Sequence, residues 1–524
     1  MLSWAPFRVR IAILLPDVML RSRRPAREVI LNVDVCAIGA GSGGLAAVRT
    51  ATALGLKTVL IERGRMGGDC LNWGCVPSKA LLAAAHTAAR VRHAHAFGLP
   101  ATLGKIGDGG VYRHIRSTIA KIEPNDSQAR YEKLGVRIIR AEARFVGPNE
   151  LRAGRYRVRA RWFVVATGAR AAIPPISGLA EVPYLTNETV FFLKKLPRRL
   201  IVLGGGPLGV EMAQAHRRLG VEVALLEKDR ILRDEDPELV AYLRRQLKSD
   251  GIAVHERIRV TEIRKKSDEI EVLLAASGRR RVIKGTHLLV AAGRNSEIEA
   301  LNLAAAGVEF TKEGIVVDAY LRTTNPRIFA IGDVIGGDRF SHLASHHGQI
   351  AIANAVLKAR RKAETRVVPR VVFTEPELAQ VGPREAAARS AHRGVRTLRW
   401  TYDHNDRAVA ERTDRGMIKV VVDRKGNILG VGIVGPHAGE VVQKWSLAIA
   451  RGIGIGAMSR VIAPYPTIGY SDRKLAESSL PVPLPGIEEI ISSRLRRRKR
   501  PARAGRVRGR KRVPRAMSTL RETA

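Results

Sequence analysis

Cys70 and Cys75 are separated by four residues within GGDCLNWGCVPSKALL, residues 67–82, directly before an Ala/Leu-rich stretch that reads as a helix. Pro77 suits the first turn of that helix and puts Cys75 near its N-terminus, where the helix dipole favours thiolate over thiol. Sulfur so placed is a good nucleophile or electron-transfer group. Zinc ligation is the competing chemistry, but the spacing is wrong for a paired-ligand knuckle and no second cysteine pair completes a tetrahedron. The remaining cysteine, Cys36, lies inside an apolar run and reads as a small buried hydrophobe. Three cysteines in 524 residues also exclude a disulfide-stapled secreted scaffold.

Something must hold a partner against those sulfurs, and the glycines say what. Residues 33–44, VDVCAIGAGSGG, run from an apolar strand into Gly39, Gly41 and Gly44 in G-x-G-x-x-G register. A helix is expected over Leu45 to Leu56, and the next apolar run, TVLIE, ends in Glu62, 23 residues after Gly39. Gly39 permits the tight turn, Gly41 lets a pyrophosphate approach the backbone, Gly44 allows close helix packing, and Glu62 is placed to accept from a ribose diol. The pattern recurs in LIVLGGGPLG, residues 200–209, with Gly204, Gly206 and Gly209, and VEVALLE ends in Glu227, again 23 residues on. Strand, glycines, helix, strand and acid, repeated at one spacing, predict two dinucleotide sites. Each unit is followed by a short apolar strand ending in a small-residue turn, WFVVATG with Thr167 and Gly168, and HLLVAAGR with Gly293. An acid at Glu227 suits a free ribose 2′-hydroxyl and repels a 2′-phosphate, so NADH is expected over NADPH, with Lys228 and Arg230 softening the preference.

The net charge of +41 needs dividing before it suggests a partner. Residues 494–515 hold thirteen Lys/Arg and no acid, after a PVPLPG boundary at 481–486, and residues 1–28 hold six arginines. The tail has little to bury and is expected to be a solvated extension, with polyanion or anionic-membrane contact as the other reading. The N-terminal run lacks the long apolar region of a secretory signal, and its paired Arg23 and Arg24 precede a strand. No stretch of 18 uncharged apolar residues occurs, so a soluble, cytoplasmic protein is expected.

GGDCLNWGCVPSK, both glycine fingerprints and IFAIGDV (328–334) together resemble the class I pyridine nucleotide-disulfide oxidoreductases, including dihydrolipoyl dehydrogenases, glutathione reductases and mercuric reductases, over about residues 30–480. The resemblance implies FAD on the first fingerprint and NAD(P)H on the second, with Val260 in the cofactor-binding set. It implies Asp333 at the ribityl side of FAD, Lys79 and Glu211 as an ion pair beside the flavin, and a Cys70–Cys75 disulfide with Cys75 facing the flavin and Cys70 meeting substrate. It also implies a homodimer in which each active site borrows a residue from its partner. The fold class expected is α/β: an FAD domain over 30–185 and 296–362, an NAD(P) domain over 186–295 and an α+β dimerisation domain over 366–482, between an extension at 1–29 and a tail at 483–524.

One departure bears on the acceptor. Where dihydrolipoyl dehydrogenases and glutathione reductases carry a His before Pro and a supporting Glu, APYPTIGYSD (463–472) has Tyr465 and Tyr470. A phenol is a poor base at pH 7, so lipoamide or glutathione turnover is expected to suffer, and a tyrosine here is reminiscent of mercuric reductases. Yet no cysteine follows Cys75 to supply a C-terminal metal-receiving pair. His342, His346 and His347 are expected to pack near the flavin rather than to ligate metal.

Overall fold

The computed structural model describes residues 28–107, 109–276 and 279–480. Most of the N-terminal extension and the basic run at 494–515 lie outside the described residues. The first unit is built on six strands: β1 (Val29–Ile38), β2 (Thr58–Ile61), β3 (Arg137–Ile139), β4 (Ala143–Gly147), β5 (Glu150–Ala153) and β6 (Tyr156–Val165). They lie in the order β3-β2-β1-β6-β5-β4, and Ile328–Ala330 adds a seventh strand beside β6. β1, β2, β3 and β6 run parallel, whereas β4 and β5 fold back as an antiparallel meander onto the first half of β6. This division explains the sequence of β1. Its second half, Val35–Ile38, is buried because the parallel part of the sheet is covered, while Ile30 and Asn32 in its first half are exposed.

The helix after the first glycine turn runs over Ser42–Ala53, three residues earlier than the expected start at Leu45. Gly41 takes an extended conformation and its carbonyl accepts from Leu45 N–H at 3.0 Å, so the helix begins inside the glycine motif. The second unit repeats the plan with a four-stranded parallel sheet, ordered Ala253–His255, Glu222–Leu226, Arg199–Leu203 and His287–Val290. The third carries a five-stranded antiparallel sheet, residues 370–435, against which the helix Ala438–Ala450 buries Trp445. The two dinucleotide-type units and the C-terminal α+β unit anticipated from sequence are thus present.

One apolar cluster joins all three. It takes Leu81 and Ala85 from the helix after Cys75, Val210 and Leu239 from the second unit, and Val372 and Met417 from the third. Beside it Lys419, 5% exposed, meets Asp236 and Glu238 at 2.8 Å and Glu385 at 2.9 Å. Asp236 also caps the helix Pro237–Ser249 by accepting from Glu238 N–H. Burial opposes ionisation of Glu385, but hydrogen bonds from Lys419 and Arg389 hold its carboxyl down to about 2. Removing one partner from such a buried cluster costs about 3–5 kcal/mol, because the remaining charges stay desolvated. Lys419→Met should therefore lower the urea midpoint clearly while Lys419→Arg lowers it less; a wild-type midpoint for the methionine variant would refute this account.

Candidate active site

The two glycine loops are built alike. Gly39 and Gly204 sit at φ +101° and +117°, and a Cβ on either would lie 2.4 and 2.2 Å from the carbonyl oxygens of Ala166 and Ala291, just past the ends of the neighbouring parallel strands. A Cβ on Gly44 would lie 1.8 Å from Gly39 O, and one on Gly209 1.9 Å from Gly204 O, so the third glycine lets each helix close against its own turn. Gly41 and Gly206 meet no such obstacle and leave the first helical N–H groups approachable. Glu62 accepts from Ala40 N–H at 2.6 Å and Gly64 N–H at 2.5 Å; Glu227 accepts from Gly205 N–H at 2.6 Å and Asp229 N–H at 2.9 Å. Thr167 donates to Glu297 O at 2.6 Å, and Gly168 and Gly293 take positive φ in the two turns that flank the glycine loops. Val260 is half-buried on the strand Arg259–Lys266 and packs against the cluster that includes Leu203 and Leu226, which precede Gly204 and Glu227.

The helix Cys75–Arg92 begins on Cys75 itself, while Cys70 lies in a short preceding helix, Gly68–Asn72. All three cysteines are free thiols, and Cys36 is fully buried. The Cys75 sulfur is 3.5 Å from Ser341 Oγ, the first residue of the helix Ser341–Leu357. A hydrogen bond from Cys70 outweighs burial and, with Ser341 and the Lys79 charge, holds the Cys75 thiol down to about 6. The same contact, with burial, pushes Cys70 strongly up. One turn after Cys75, Lys79 Nζ is 3.0 Å from Glu211 and 4.1 Å from the centre of the Phe373 ring. Glu211 is buried and also accepts from Phe373 N–H at 2.9 Å, so one carboxylate joins all three units.

A second charged group backs the cysteine loop. Arg294 reaches Asp69, the neighbour of Cys70, and stands 3.6 Å from Asp333. Arg339 donates to Arg294 O. Burial pushes the Asp333 carboxyl up, with Arg294 and Arg339 opposing. The Nε atoms of Arg294 and Arg339 are buried without a hydrogen-bond partner, that of Arg294 having only the longer ionic contact to Asp333. His342 stacks on Phe340 at 5.2 Å, and burial beside His346 lowers His347 to about 4. Among the described residues no three His, Cys, Asp or Glu side chains converge as a metal site.

Tyr465 is 66% exposed and is not gathered with the cysteines within the chain. Its hydroxyl donates to Asp406 at 2.6 Å, and its ring meets that of Tyr470 edge-on at 5.6 Å. Asp406 holds the phenol above its ordinary range, hence protonated. The carboxylate supporting this position therefore comes from Asp406, not from position 470. Asn405, next to it, fixes the loop by donating to Thr467 O at 3.1 Å and Ser471 Oγ at 2.7 Å.

A family model described as pyridine nucleotide-disulphide oxidoreductase matches residues 33–359, and one described as the dimerisation domain of that family matches 368–473. The chain belongs to this family. Mercuric reductase from Bacillus cereus is 34% identical over 440 residues, 83% of this chain and 70% of the relative; that from Streptomyces lividans is 33% identical over 453 residues, 85% and 96%. Dihydrolipoyl dehydrogenase from Thermus scotoductus is 34% identical over 458 residues, 85% and 97%. Among solved structures, the Cu(II) complex of the HOCl-induced flavoprotein disulfide reductase RclA from Escherichia coli shares the fold at 24% identity and TM-score 0.77, covering 86% of this chain and all of that one.

The protein is thus an FAD-dependent disulfide oxidoreductase of the kind that uses NAD(P)H, and its dimerisation domain supports a homodimer. Among the described residues no helix is long and apolar enough to cross a membrane. The residues present fit a dinucleotide carrying a flavin: a glycine cradle that a Cβ would fill, an acid at its edge, and two buried guanidinium Nε atoms without hydrogen-bond partners near Asp333. Ser341, Asp69, Arg294, Arg339 and Asp406 were not singled out from the sequence. Asp69 and Arg294 lie within the quoted GGDCLNWGCVPSK and HLLVAAGR runs, but no local pattern marks the others.

Because the Cys75 thiol is depressed, its thiolate should persist above about pH 6 and be lost as pH falls through that value. In the two-electron-reduced holoenzyme the long-wavelength thiolate–flavin absorbance should titrate accordingly. Lys79→Met removes a charge that favours thiolate and should move the midpoint upward; an unmoved midpoint would count against Lys79's part.

Proposed function

We propose that this oxidoreductase carries electrons from NADH to the Cys70–Cys75 pair and on to a soft metal ion or a disulfide, in the manner of the mercuric reductases it resembles. The observation that carries the acceptor reading is the Tyr465–Asp406 pair, a protonated phenol where a neutral imidazole would serve a disulfide substrate. When bound, FAD accepts hydride from the nicotinamide and passes an electron pair to a disulfide sulfur. Gly39, Gly41, Gly44, Glu62, Thr167, Gly168 and Asp333 are assigned to holding it, and Gly204, Gly206, Gly209, Glu227, Val260 and Gly293 to the nicotinamide dinucleotide. Glu227 favours a free 2′-hydroxyl.

Cys75 is assigned as the flavin-facing sulfur, kept as thiolate by Cys70, Ser341 and Lys79. Glu211 fixes the ammonium of Lys79. Cys70 is assigned as the sulfur that meets the acceptor. With a metal ion its sulfur, losing its proton on binding, needs only to hold the ion while the ion takes up two electrons and leaves as the reduced metal. With a disulfide it must expel a second thiolate, and that leaving group wants a proton from a group that can take it back at neutral pH. Tyr465, lent to the partner subunit's site in a homodimer, can donate a hydrogen bond but is a poor base.

NADH oxidation by the holoenzyme should accordingly be faster with Hg(II) than with lipoamide or oxidised glutathione, with quinones as a further comparison. Tyr465→His, which leaves Asp406 as carboxylate partner, should raise disulfide turnover by about tenfold or more, within the range ascribed to general acid–base catalysis. A folded, flavin-loaded Tyr465→His dimer with unchanged lipoamide turnover would remove the argument. Dihydrolipoyl dehydrogenase activity is the second reading, and wild-type lipoamide turnover exceeding that with Hg(II) would favour it.

A further inference from the structure

The meander β4-β5-β6 presents to solvent a row of arginines that folding does not call for. Arg144 on β4 lies opposite Arg152 on β5, and Arg152 lies opposite Arg157 on β6. Like charges directly opposite one another across strands destabilise a sheet. Arg159 and Arg161 continue the same face along β6. The acids nearby serve only part of the group: Glu150 pairs with Arg157 at 2.7 Å and Arg159 at 2.5 Å, Glu28 with Arg157 at 2.9 Å, and Asp34 with Arg161 at 3.4 Å. Among the described residues no carboxylate lies within ion-pairing distance of Arg144 or Arg152, and both are exposed.

β1 lies alongside β6 on this face, with Ile30 opposite Arg157 and Asn32 opposite Arg159, and adds no acid to the row. Arginine forks match phosphodiester oxygens in a way that lysine ammonium groups do not. Only Ile30 and Val146 stand exposed among these guanidiniums as large aliphatic side chains, too few for insertion among acyl chains. We infer that this sheet face binds the phosphodiester backbone of nucleic acid, without sequence preference, at a surface separate from the redox site.

Fluorescence anisotropy of the full-length holoenzyme with labelled 20-nucleotide single-stranded DNA, duplex DNA and RNA of random sequence, over a KCl series, tests this. The double variant Arg144→Glu/Arg152→Glu should weaken binding at least tenfold and reduce the salt slope by about 2, at roughly 0.9 per phosphate contact for duplex. Flavin content and NADH oxidation should stay at wild-type level. Arg245→Glu/Arg412→Glu, the same charge change elsewhere, should alter Kd less than about threefold. Should the glutamate pair fail to fold, Arg144→Gln/Arg152→Gln should still weaken binding, by about threefold or more. Wild-type affinity in either sheet variant overturns the inference. So does equal loss in the control pair, loss of all binding on deleting residues 494–515 alone, or binding of phosphatidylserine vesicles in place of oligonucleotides.

Discussion

Everything in the redox site leans on one buried carboxylate. Glu211 belongs to the helix that follows the second glycine loop, yet its two oxygens are used elsewhere, one on Lys79 of the cysteine helix and one on the Phe373 N–H of the third unit. One turn on, Gln214 exchanges hydrogen bonds with the backbone of Glu375, and Arg218 holds both Asp250 and Glu375. A single helical face therefore sets the distance between the nicotinamide-binding unit, the cysteines and the C-terminal sheet. An ammonium held by a fixed partner is a dependable positive charge. That is what the Cys75 thiolate requires, because its other support comes from the neutral groups of Cys70 and Ser341.

The two sulfurs differ for reasons of placement rather than kind. Cys75 starts a helix, faces a serine hydroxyl and lies one turn from a lysine. Cys70 has a thiolate neighbour to which it is hydrogen-bonded and is itself largely buried, and both oppose its ionisation. The pair thus holds its first negative charge on one chosen sulfur and keeps the other protonated. Asymmetry of this kind allows a dithiol to point its two ends at different partners.

Much of this was legible in the sequence where the signal is local. The glycine registers, the acids 23 residues on and the cysteine spacing are each confined to a short stretch of chain, and Gly39 and Gly204 make the tight turns expected of them. The helix start was misread by three residues because Gly43 and Gly44 look like loop, although lack of a Cβ is what lets the helix begin against Gly39. Partners chosen across long separations left no trace. Ser341 is 266 residues from Cys75, and Asp406 is 59 residues from Tyr465. Position 470 stands in the supporting acid's place but holds a tyrosine, whereas the fold brings in the carboxylate of Asp406 from the start of the short helix Asp406–Ala410.

The Lys419 cluster has a consequence for how such a protein can be divided. The C-terminal sheet gives the shared core Val372, Leu378, Met417 and Val434, and it sets its one deeply buried ammonium against Asp236 and Glu238 of the preceding unit. Cut at the 362–366 junction, the C-terminal piece would carry an apolar face and half of an ionic lock, and the remainder would carry the other half. Exchange of this domain between relatives must therefore transfer the start of the Pro237–Ser249 helix with it. The unit of inheritance is larger than the unit of topology.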